Sequence, residues 1–365
     1  MPQEQTATAE PAVLPGIVRL RFVDERNFAV SAYLLTGDDG CVLVDSGFAG
    51  EAAAAALEAQ LRSVGRTLGD ISTIVLTHLH HDHVGQALRL AERGVTIRYH
   101  PAEPSLIAYP FEERLAGLRE LLRAHGTPED DLPDRPYEPE LRLDDPIEDG
   151  SVLDLAGQRW LAIQTPGHTI GHLCLFRPDD GALIVGDHLL ASISTYVGAD
   201  SAAGPDIVHR FLDSLDRLDT LSATTVLPAH GRVYHDLRGR TAAQRADYAA
   251  RLDAVAALLD STPRSAYAVA HALRERRGKS WEIGAFRRAL LARHAAALLD
   301  ELARVGRAER IDAPGAIRYR ARSRSDATGS AAMSRSTVPP SGNASTARMS
   351  ASGVRQAGSP AKLQQ

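Results

Sequence analysis

The chain has few cysteines, no long apolar run and no strong excess of either charge. Its two cysteines, Cys41 and Cys174, each lie within a short apolar run, which is typical of small buried residues in a reducing compartment. No apolar run reaches the roughly 18 to 20 residues that a membrane span requires. A formal net charge of -5 gives no general attraction to nucleic acid or to anionic lipid. Because the first residues also lack the pattern of a secretory signal, we expect a soluble, cytoplasmic protein that does not act at membranes.

The order of secondary-structure patterns predicts an α/β fold up to about residue 237. Short runs rich in Val, Leu and Tyr, bounded by Gly and Asp, predict strands, and an Ala-rich run at residues 51–65 predicts a helix that ends at a glycine. From about residue 238 the strand signal fades and helical patterns follow. In the last of them Leu291, Leu298 and Leu302 repeat at helical spacing, and a hairpin pattern at residues 308–321 comes next.

These patterns divide the chain into four parts. Residues 14–237 form the predicted catalytic domain, and residues 238–321 form a small, mainly helical one. Within the first domain, residues 101–150 combine a helix with a Pro- and acid-rich loop, and we interpret them as a lid-like insertion beside the site. Residues 1–13 show no clear pattern, and residues 322–365 are rich in Ser, Ala, Gly and Arg, so both segments are predicted to be disordered.

A cluster of histidines follows the short buried strand predicted at residues 71–77. In the stretch "HLHHDH", His78 and His80 alternate as neighbours at a strand end do, whereas Asp82 and His83 come after the turn. One loop can therefore direct two ligands at one metal ion and two at another. The alternative is a hydrogen-bonded surface loop, but nothing else in the sequence favours four such groups at this position.

Three further polar residues follow apolar strands, which is where α/β folds gather functional groups. His168 lies in the Gly-Pro turn of "TPGHTIGH", Asp187 ends the strand of "LIVGDH", and His230 ends the strand of "VLPAHG". Histidine and aspartate ligands suit zinc, with iron or manganese as alternatives. The sequence therefore predicts a metal centre that is assembled from four separate segments.

With these motifs in this order, the chain resembles the metallo-β-lactamase superfamily. The resemblance rests on Asp45 in "LVDSG", on the "HLHHDH" loop, and on His168, Asp187 and His230, and it covers roughly residues 16–235. It implies a four-layer αββα sandwich. It also implies a dinuclear site at one edge of that sandwich, with two Zn²⁺ ions per chain.

The resemblance further implies a role for each residue of the motifs. Asp82 would orient the bridging hydroxide that acts as nucleophile, and Asp45 would support the histidine loop from behind. His172 and His188 lie near the motifs and are expected to form hydrogen bonds rather than to bind metal. The implied ligands of the first ion are His78, His80 and His168, those of the second are Asp82, His83 and His230, and Asp187 would bridge the two ions.

The region after residue 238 resembles the small winged-helix domain of the β-lactamase-like protein 2 group. The residues that carry this resemblance are "HAAALLDELARVGRAERID" and the hairpin "APGAIRYR". Winged helices often bind DNA, but we favour a solvated basic face on a packing domain as the interpretation of the arginines found here. These are Arg287, Arg288, Arg293, Arg304, Arg307 and Arg310.

Differences from better-known members of the superfamily limit the range of reactions that we expect. Its β-lactamases usually carry Cys where this chain has Asp187, which disfavours antibiotic hydrolysis. The segment between Asp187 and His230 is too short for the extra domain of the RNA-processing branch. Asp187 follows the pattern of glyoxalase II-like hydrolases, although the basic glutathione-binding residues of that enzyme have no counterpart here.

We expect a dinuclear hydrolase in which a metal-bound hydroxide attacks the carbonyl of a thioester or ester in a small-molecule acyl substrate. No side-chain general acid is evident beside the ligands, and a thiolate leaving group needs none because thiols ionise near pKa ~8.5. Tyr109, Phe111 and Tyr196 are candidate substrate contacts. Residues 103–150 carry far more Asp and Glu than Lys and Arg, which disfavours nucleic acid as a partner. A homodimer is compatible with the sequence.

Three alternatives remain open. One is a single-strand-specific endoribonuclease, which the resemblance to the β-lactamase-like protein 2 group suggests. Another is a mononuclear iron dioxygenase that acts on persulfides, since that branch shares most of the same ligands. The third is a non-enzymatic DNA-binding regulator that uses the winged helix, although the intact set of metal ligands argues against it.

Overall fold

The computed structural model describes residues 12–38, 40–103, 111–134, 141, 143–200 and 203–322, with side chains from residue 115 onwards in the helix that begins at Phe111. The described residues up to Arg322 belong to one compact unit. Twelve strands and seven α-helices occur in this part of the chain. The strands are β1 (Ile17–Val23), β2 (Ala29–Gly37), β3 (Gly40–Val44), β4 (Ile71–Val75), β5 (Thr96–Arg98), β6 (Val152–Leu155), β7 (Gln158–Gln164), β8 (Leu173–Arg177), β9 (Ala182–Gly186), β10 (Thr225–Pro228), β11 (Ala308–Ala313) and β12 (Ala316–Ala321).

Ten of these strands form two five-stranded sheets. The first sheet has the order β1-β2-β3-β4-β5, in which β3, β4 and β5 are parallel to one another. The second has the order β10-β9-β8-β7-β6, in which β10 and β9 are parallel. The helices that accompany the sheets are α1 (Glu51–Ser63), α2 (Ala87–Ala91), α3 (Phe111–Ala124), α4 (Ile207–Asp219), α5 (Leu237–Ala256), α6 (Ala266–Arg276) and α7 (Ala285–Arg304).

The two sheets pack face to face, and their central strands are buried on both sides. In β2, Tyr33 and Leu35 point into the core between the sheets, where Trp160 of β7 also lies. Leu34 of the same strand points the other way and packs with Leu57 of α1. Successive side chains of a strand alternate between its faces, so a strand covered on both sides must be almost continuously apolar. This explains why these strands appear in the sequence as unbroken apolar runs.

The outer face of the second sheet is covered by helices α4 to α7. Val185 of β9 belongs to one core with Phe211 of α4, Tyr248 of α5, Val269 of α6 and Leu298 of α7. Helices α1 and α2 cover the outer face of the first sheet in the same way. The predicted four-layer αββα architecture is therefore confirmed.

The region after residue 238 contains three helices followed by the β11–β12 hairpin, as the sequence patterns predict. Tyr319 of the hairpin and Leu302 of α7 are buried in the same core as the outer face of the second sheet. The order of three helices and a hairpin is also that of a winged helix. The winged-helix assignment and the domain boundary at residue 238 stay predictions.

Helix α3 of the insertion at residues 101–150 packs against α7. Leu118 and Leu122 of α3 form a small core with Ala289 and Ala292 of α7. This contact anchors the helix of the insertion to the C-terminal helices. Its predicted role as a lid stays a prediction.

Most of the arginines predicted to form a solvated basic face are bound to carboxylates. Five of the six form ion pairs, and Arg293 is buried at 8% exposure. An arginine held by a carboxylate is less available to a phosphate backbone. The pairs are Arg288–Asp131, Arg293–Asp200, Arg304–Glu301, Arg307–Asp253 and Arg310–Asp300.

Several predictions lie outside the described residues. These are the predicted substrate contact Tyr109, the side chain of Phe111, and the predicted disorder of the first eleven residues and of the tail after Arg322. Within the described ranges, no helix is both long enough and apolar enough to cross a membrane. Both cysteines are free and buried, as expected of small core residues.

Candidate metal centre

The predicted ligands lie at the carboxyl ends of strands from both sheets. The loop of residues 78–83 follows β4, and Asp45 follows the neighbouring β3. In the second sheet, His168 follows β7, Asp187 follows β9 and His230 follows β10. These strand ends meet at one edge of the sandwich, so residues that are far apart in the sequence converge there. We call the segments that carry these ligands the ligand loops: residues 78–83, His168, Asp187 and His230.

Three histidines bring their ring nitrogens together in a first cluster. His80 Nδ1 lies 3.0 Å from His78 Nε2 and 2.8 Å from His168 Nε2. The other nitrogen of His168 donates to the carbonyl of Tyr196 over 2.9 Å, and that of His78 contacts the Thr77 hydroxyl over 3.0 Å. These contacts use the Nδ1 protons, so the Nε2 lone pairs of His78 and His168 both converge on His80 Nδ1. Converging lone pairs repel one another, and a cation between them removes that repulsion.

The electrostatics of the first cluster favour neutral imidazoles. Burial lowers the pKa of His78, His80 and His168, and neighbouring histidines lower it further. Metal ligands must be unprotonated, because a protonated ring nitrogen has no lone pair to offer. The three residues are therefore in the state that a metal ion requires.

A second cluster combines a carboxylate with two histidines. His230 Nε2 lies 3.3 Å from Asp82 Oδ2, and His83 Nε2 lies 3.9 Å from the same oxygen. His83 Nδ1 donates to Asp45 Oδ2 over 2.8 Å, and His230 Nδ1 donates to the carbonyl of Ala29 over 2.7 Å. As in the first cluster, an acceptor behind each ring fixes the tautomer and turns Nε2 toward the site.

Asp187 lies between the two clusters and presents one oxygen to each. Its Oδ1 is 3.3 Å from His230 Nε2 and 3.7 Å from His83 Nε2. Its Oδ2 is 3.5 Å from His168 Nε2. Asp187 Oδ1 and His83 Nε2 are buried and have no hydrogen-bond partner in the described structure. Unpaired buried polar atoms are costly, so their presence at this point indicates a ligand.

The second cluster attracts positive charge. Burial alone would lower the pKa of His230, but the carboxylates of Asp187 and Asp82 raise it to about 10. For His83, too, burial is outweighed by the carboxylates of Asp45, Asp82 and Asp187, which raise its pKa well above the usual value. A bound divalent cation would take the place of these protons. The donor atoms of both clusters are imidazole nitrogens and carboxylate oxygens, which fit a metal centre.

Asp45 supports the ligand loops from behind, as the resemblance implies. Its Oδ1 accepts the backbone N–H of Thr77 over 2.8 Å, while its Oδ2 holds His83. Asp45 has a positive φ of 61°, which is uncommon for a residue other than glycine. A strained backbone of this kind persists where the surroundings fix it, and here it lets one carboxylate reach two parts of the histidine loop.

His172 and His188, both expected to form hydrogen bonds, differ in their contacts. His172 Nε2 accepts the backbone N–H of Asp187 over 3.2 Å, and its Nδ1 lies 2.9 Å from the Thr165 hydroxyl. His188 is buried, but neither of its ring nitrogens has a hydrogen-bond partner in the described structure. Its ring packs 4.9 Å from the ring of Phe211 instead. The side chain of His172 thus orients the backbone of Asp187, whereas that of His188 contributes packing.

Gly186 allows the two sheets to approach each other beside the ligands. It has a positive φ of 46°, and a Cβ at this position would lie 2.7 Å from His172 Nε2 and 2.7 Å from Thr77 Oγ1. Thr77 immediately precedes the histidine loop of the first sheet, and Asp187 immediately follows Gly186 in the second. Any side chain at this glycine would push the two groups of ligands apart.

A buried carboxylate that the sequence analysis did not single out ties two ligand loops together. Glu103 is 1% exposed. Its Oε2 accepts the backbone N–H of Leu79 over 3.1 Å. Its Oε1 accepts the backbone N–H of Gly171 over 2.9 Å and the hydroxyl of Thr169. Glu103 therefore links the histidine loop to the loop that carries His168. Its only sequence signal is that it follows β5, a strand end like those of the other site residues.

A cavity of about 250 Å³ opens beside the ligands. His80, Asp82 and His168 line it together with residues of α7. We call the three residues from α7 the helical wall: Phe286, Leu290 and Arg293.

Tyr196, the third predicted substrate contact, also lines this cavity. Its hydroxyl donates to the carbonyl of Leu290 over 2.9 Å, which joins it to the helical wall. The exposed His81 lies at the cavity as well, in line with its expected position outside the ligand set. Arg293 was expected on a solvated face, but its side chain donates to the carbonyl of Ala199 and pairs with Asp200, both over about 3 Å.

Comparison with known proteins identifies the family. The family model of the metallo-beta-lactamase superfamily matches residues 26–230. The crystal structure of a metallo-beta-lactamase family protein from Thermus thermophilus is 32% identical, has a TM-score of 0.73, and matches 85% of this chain and 100% of its own length. The chain belongs to the metallo-β-lactamase superfamily.

Two curated relatives indicate the type of reaction. The probable metallo-hydrolase YqjP of Bacillus subtilis is 28% identical over 260 residues, which are 67% of this chain and 80% of YqjP. An atrochrysone carboxyl ACP thioesterase of Aspergillus fumigatus is 26% identical over 187 residues, which are 51% of this chain but only 34% of that protein. Together with the family and the ligand geometry, these relatives make the chain a metal-dependent hydrolase.

Proposed function

We propose that this member of the metallo-β-lactamase superfamily is a dinuclear metal-dependent thioesterase that acts on a small acyl substrate. The observation that carries the proposal is the position of Asp187, whose two oxygens face two different clusters of ligands. A carboxylate shared in this way supports a site for two ions rather than one. An aspartate at this position, in place of cysteine, also supports the glyoxalase II-like donor set.

Each of these residues would have a role in metal binding or in catalysis. His78, His80 and His168 would hold one cation, the second cluster would hold the other, and Asp187 would bridge them. Two divalent ions bound there, of which zinc suits the donors best, would lower the pKa of a water toward about 7 and polarise the substrate carbonyl. Asp82 would orient the attacking water as well as ligate the second cation. The acceptors behind the histidine rings keep the ligands aligned throughout.

The cavity supports a thioester as the substrate. A thiolate leaves without being protonated because its pKa is near ~8.5, whereas an amide nitrogen requires a general acid. The lining of the cavity includes Leu290, Ile170 and Ile207, which suits an apolar acyl group. The fungal relative named as an ACP thioesterase supports the same reaction class.

The same structure makes RNA a weaker candidate. Binding of a nucleic-acid backbone depends on Lys and Arg that neutralise phosphates. Of the six arginines in the C-terminal region that could do so, five are bound to carboxylates of this chain. Arg293, one of these five, also lines the cavity beside the ligands.

The test combines metal analysis with a substrate panel. Protein purified without added metal is analysed for zinc, iron and manganese and is then assayed on acyl thioesters, on single-stranded RNA and on a persulfide. The expected result is two metal ions per chain and thioester hydrolysis that disappears in His80→Ala. The variant His209→Ala, at an exposed position on α4, serves as the matched control.

Two results would overturn the proposal. One is efficient RNA cleavage that is lost in His80→Ala, with thioesterase activity no better than background. The other is a single iron per chain with oxygen consumption on the persulfide. Either result would promote one of the alternatives that the sequence leaves open.

A further inference from the structure

A second cavity, of about 310 Å³, lies among α5, α6 and α7. Its floor is apolar and includes Leu273, Leu291 and Leu298. Its rim is cationic and includes Arg277 and Lys279, which follow the end of α6. An apolar floor with a few polar groups at the edge is the usual composition of a small-molecule site.

The positive charge of this rim is not neutralised by the residues around it. None of the described residues that line the cavity is acidic. Arg277 and Lys279 are exposed, and neither side chain forms an ion pair or hydrogen bond with the described part of the chain. Arg274, beside them, donates to the backbone carbonyl of Ser280. The rim thus offers at least two cations to an anion from solution.

The inner wall of the cavity is fixed by a neutral histidine. Burial lowers the pKa of His294 to about 4, so the ring is uncharged near neutral pH. Its Nδ1 donates to the carbonyl of Val197 over 2.6 Å, and its Nε2 accepts from Arg251 over 3.0 Å. Arg251 also pairs with Asp247 over 2.6 Å. Asp247 therefore neutralises the charge of Arg251. The positive charge that can attract an anion lies at the rim.

The two cavities share a wall. Tyr196 lines both the metal-site cavity and the cationic cavity. On α7, Leu290 faces the first cavity, while Leu291 and His294 face the second. The two cavities therefore adjoin each other at Tyr196, as the two ends of one elongated ligand would require.

We propose that the cationic cavity binds the adenine nucleotide of a coenzyme A thioester whose acyl end occupies the metal-site cavity. The flat faces of the adenine ring fit the leucine floor, and the phosphates fit Arg277 and Lys279. This assignment rests on the proposed thioesterase function and adds the identity of the thiol that leaves. Hydrolysis adds water across the C–S bond, so the products are the free acid and coenzyme A, and no other reactant is required.

The first experiment compares two thioesters of the same acid. Butyryl coenzyme A carries the nucleotide, and the butyryl thioester of N-acetylcysteamine lacks it. In the double variant Arg277→Gln/Lys279→Gln, KM for butyryl coenzyme A is expected to rise about tenfold, because two charge-assisted contacts to phosphate are lost. The kcat/KM for the short thioester should stay unchanged. The matched control is Arg93→Gln/Arg159→Gln, which removes two exposed charges from elements that do not line the cavity.

The second experiment measures binding without hydrolysis. Adenosine 3′,5′-bisphosphate has no thiol, and calorimetry in the His80→Ala background separates its binding from the metal centre. It is expected to bind, to lose about tenfold in affinity in the double variant, and to compete with butyryl coenzyme A in the active enzyme. Adenosine, which lacks the phosphates, should bind at least about tenfold more weakly.

The two experiments distinguish the two proposals. If the bisphosphate does not bind, or if both thioesters respond alike to the double variant, the nucleotide site is refuted even though thioesters are hydrolysed. If the bisphosphate binds through Arg277 and Lys279 but changes the rate on both thioesters equally, the ligand is a free nucleotide and the coenzyme A assignment is wrong. Charge-dependent binding without any thioester hydrolysis would support the nucleotide site and refute the thioesterase function.

Discussion

The ligand loops and the helical wall line the same cavity, but they are built in different ways. Most of the ligand histidines have an acceptor behind the ring, and the loops are tied together by Asp45 and Glu103. In the helical wall, the side chain of Phe286 is 56% exposed. The loops therefore fix the chemistry, because small displacements of a metal ligand matter, whereas the helical wall shapes the space that receives the substrate. Reaction type and substrate choice should then be separable by mutation.

The largest effect is expected at the centre of the ligand loops. Asp187→Ala removes the carboxylate that faces both clusters, so at least one metal ion and nearly all hydrolysis should be lost, with kcat/KM lower by at least about a thousandfold. Metal analysis and steady-state kinetics measure both quantities. Asp179→Ala, an exposed aspartate in a turn between strands, is the control. Two retained ions with full activity would show that Asp187 has no such role.

A smaller loss of metal binding is expected for a residue that contacts the ligand loops without being a ligand. Glu103→Ala removes the carboxylate that joins the histidine loop to the loop of His168, and leaves three donors without their acceptor. Metal affinity should fall about 10- to 100-fold, and the free energy of unfolding by about 2 kcal/mol or more. Titration with a chelator and denaturant unfolding give the two values. Glu25→Ala, on an exposed turn, should change neither. A loss of stability without any change in metal affinity would make Glu103 a purely structural residue.

The helical wall should respond selectively. Leu290→Ala shortens a side chain of the cavity but keeps the backbone carbonyl that accepts the Tyr196 hydroxyl. The ratio of kcat/KM for long and short acyl thioesters should change about five- to tenfold, while metal content stays the same. Leu88→Ala, at a position that is 52% exposed on α2, is the control. An equal loss on every substrate together with loss of metal would mean that wall and ligands are not separable.

The smallest effect is expected outside both regions. Removal of residues 323–365 should leave the melting temperature and the activity unchanged, because the composition of this segment offers too little apolar surface to offset its conformational entropy. Thermal unfolding and the thioester assay of the shortened chain test this. A drop in either quantity would show that the segment contributes to the fold or to the site.

The sequence alone predicts the ligand loops better than the helical wall. The ligands each follow an apolar strand, and strand ends are visible in a local pattern, so their convergence at one edge could be expected. Arg293 was placed on a solvated face because helical spacing does not reveal which segment covers a residue. Its partners Ala199 and Asp200 lie more than ninety positions earlier in the chain.

The contacts of Glu103 and His188 also could not be predicted from the sequence. Glu103 has no motif around it, and its role depends on Thr169 and Gly171, which only the pairing of the two sheets brings near. His188 follows a ligand directly, which suggested a hydrogen bond, but its ring turns toward Phe211 in the core. Position next to a motif predicts proximity to the site. It does not predict the direction of the side chain, which packing determines.

Each cluster of ligands takes residues from both sheets. His78 and His80 come from the first sheet and His168 from the second, and the other cluster divides in the same way. A cation bound at either cluster is thus a cross-link between the two halves of the sandwich, and its binding energy becomes folding energy. Each tenfold rise in free metal concentration above the dissociation constant then adds about 1.4 kcal/mol to the stability of the folded chain. The resistance of this protein to heat and proteolysis should accordingly follow the metal supply of the cell that makes it.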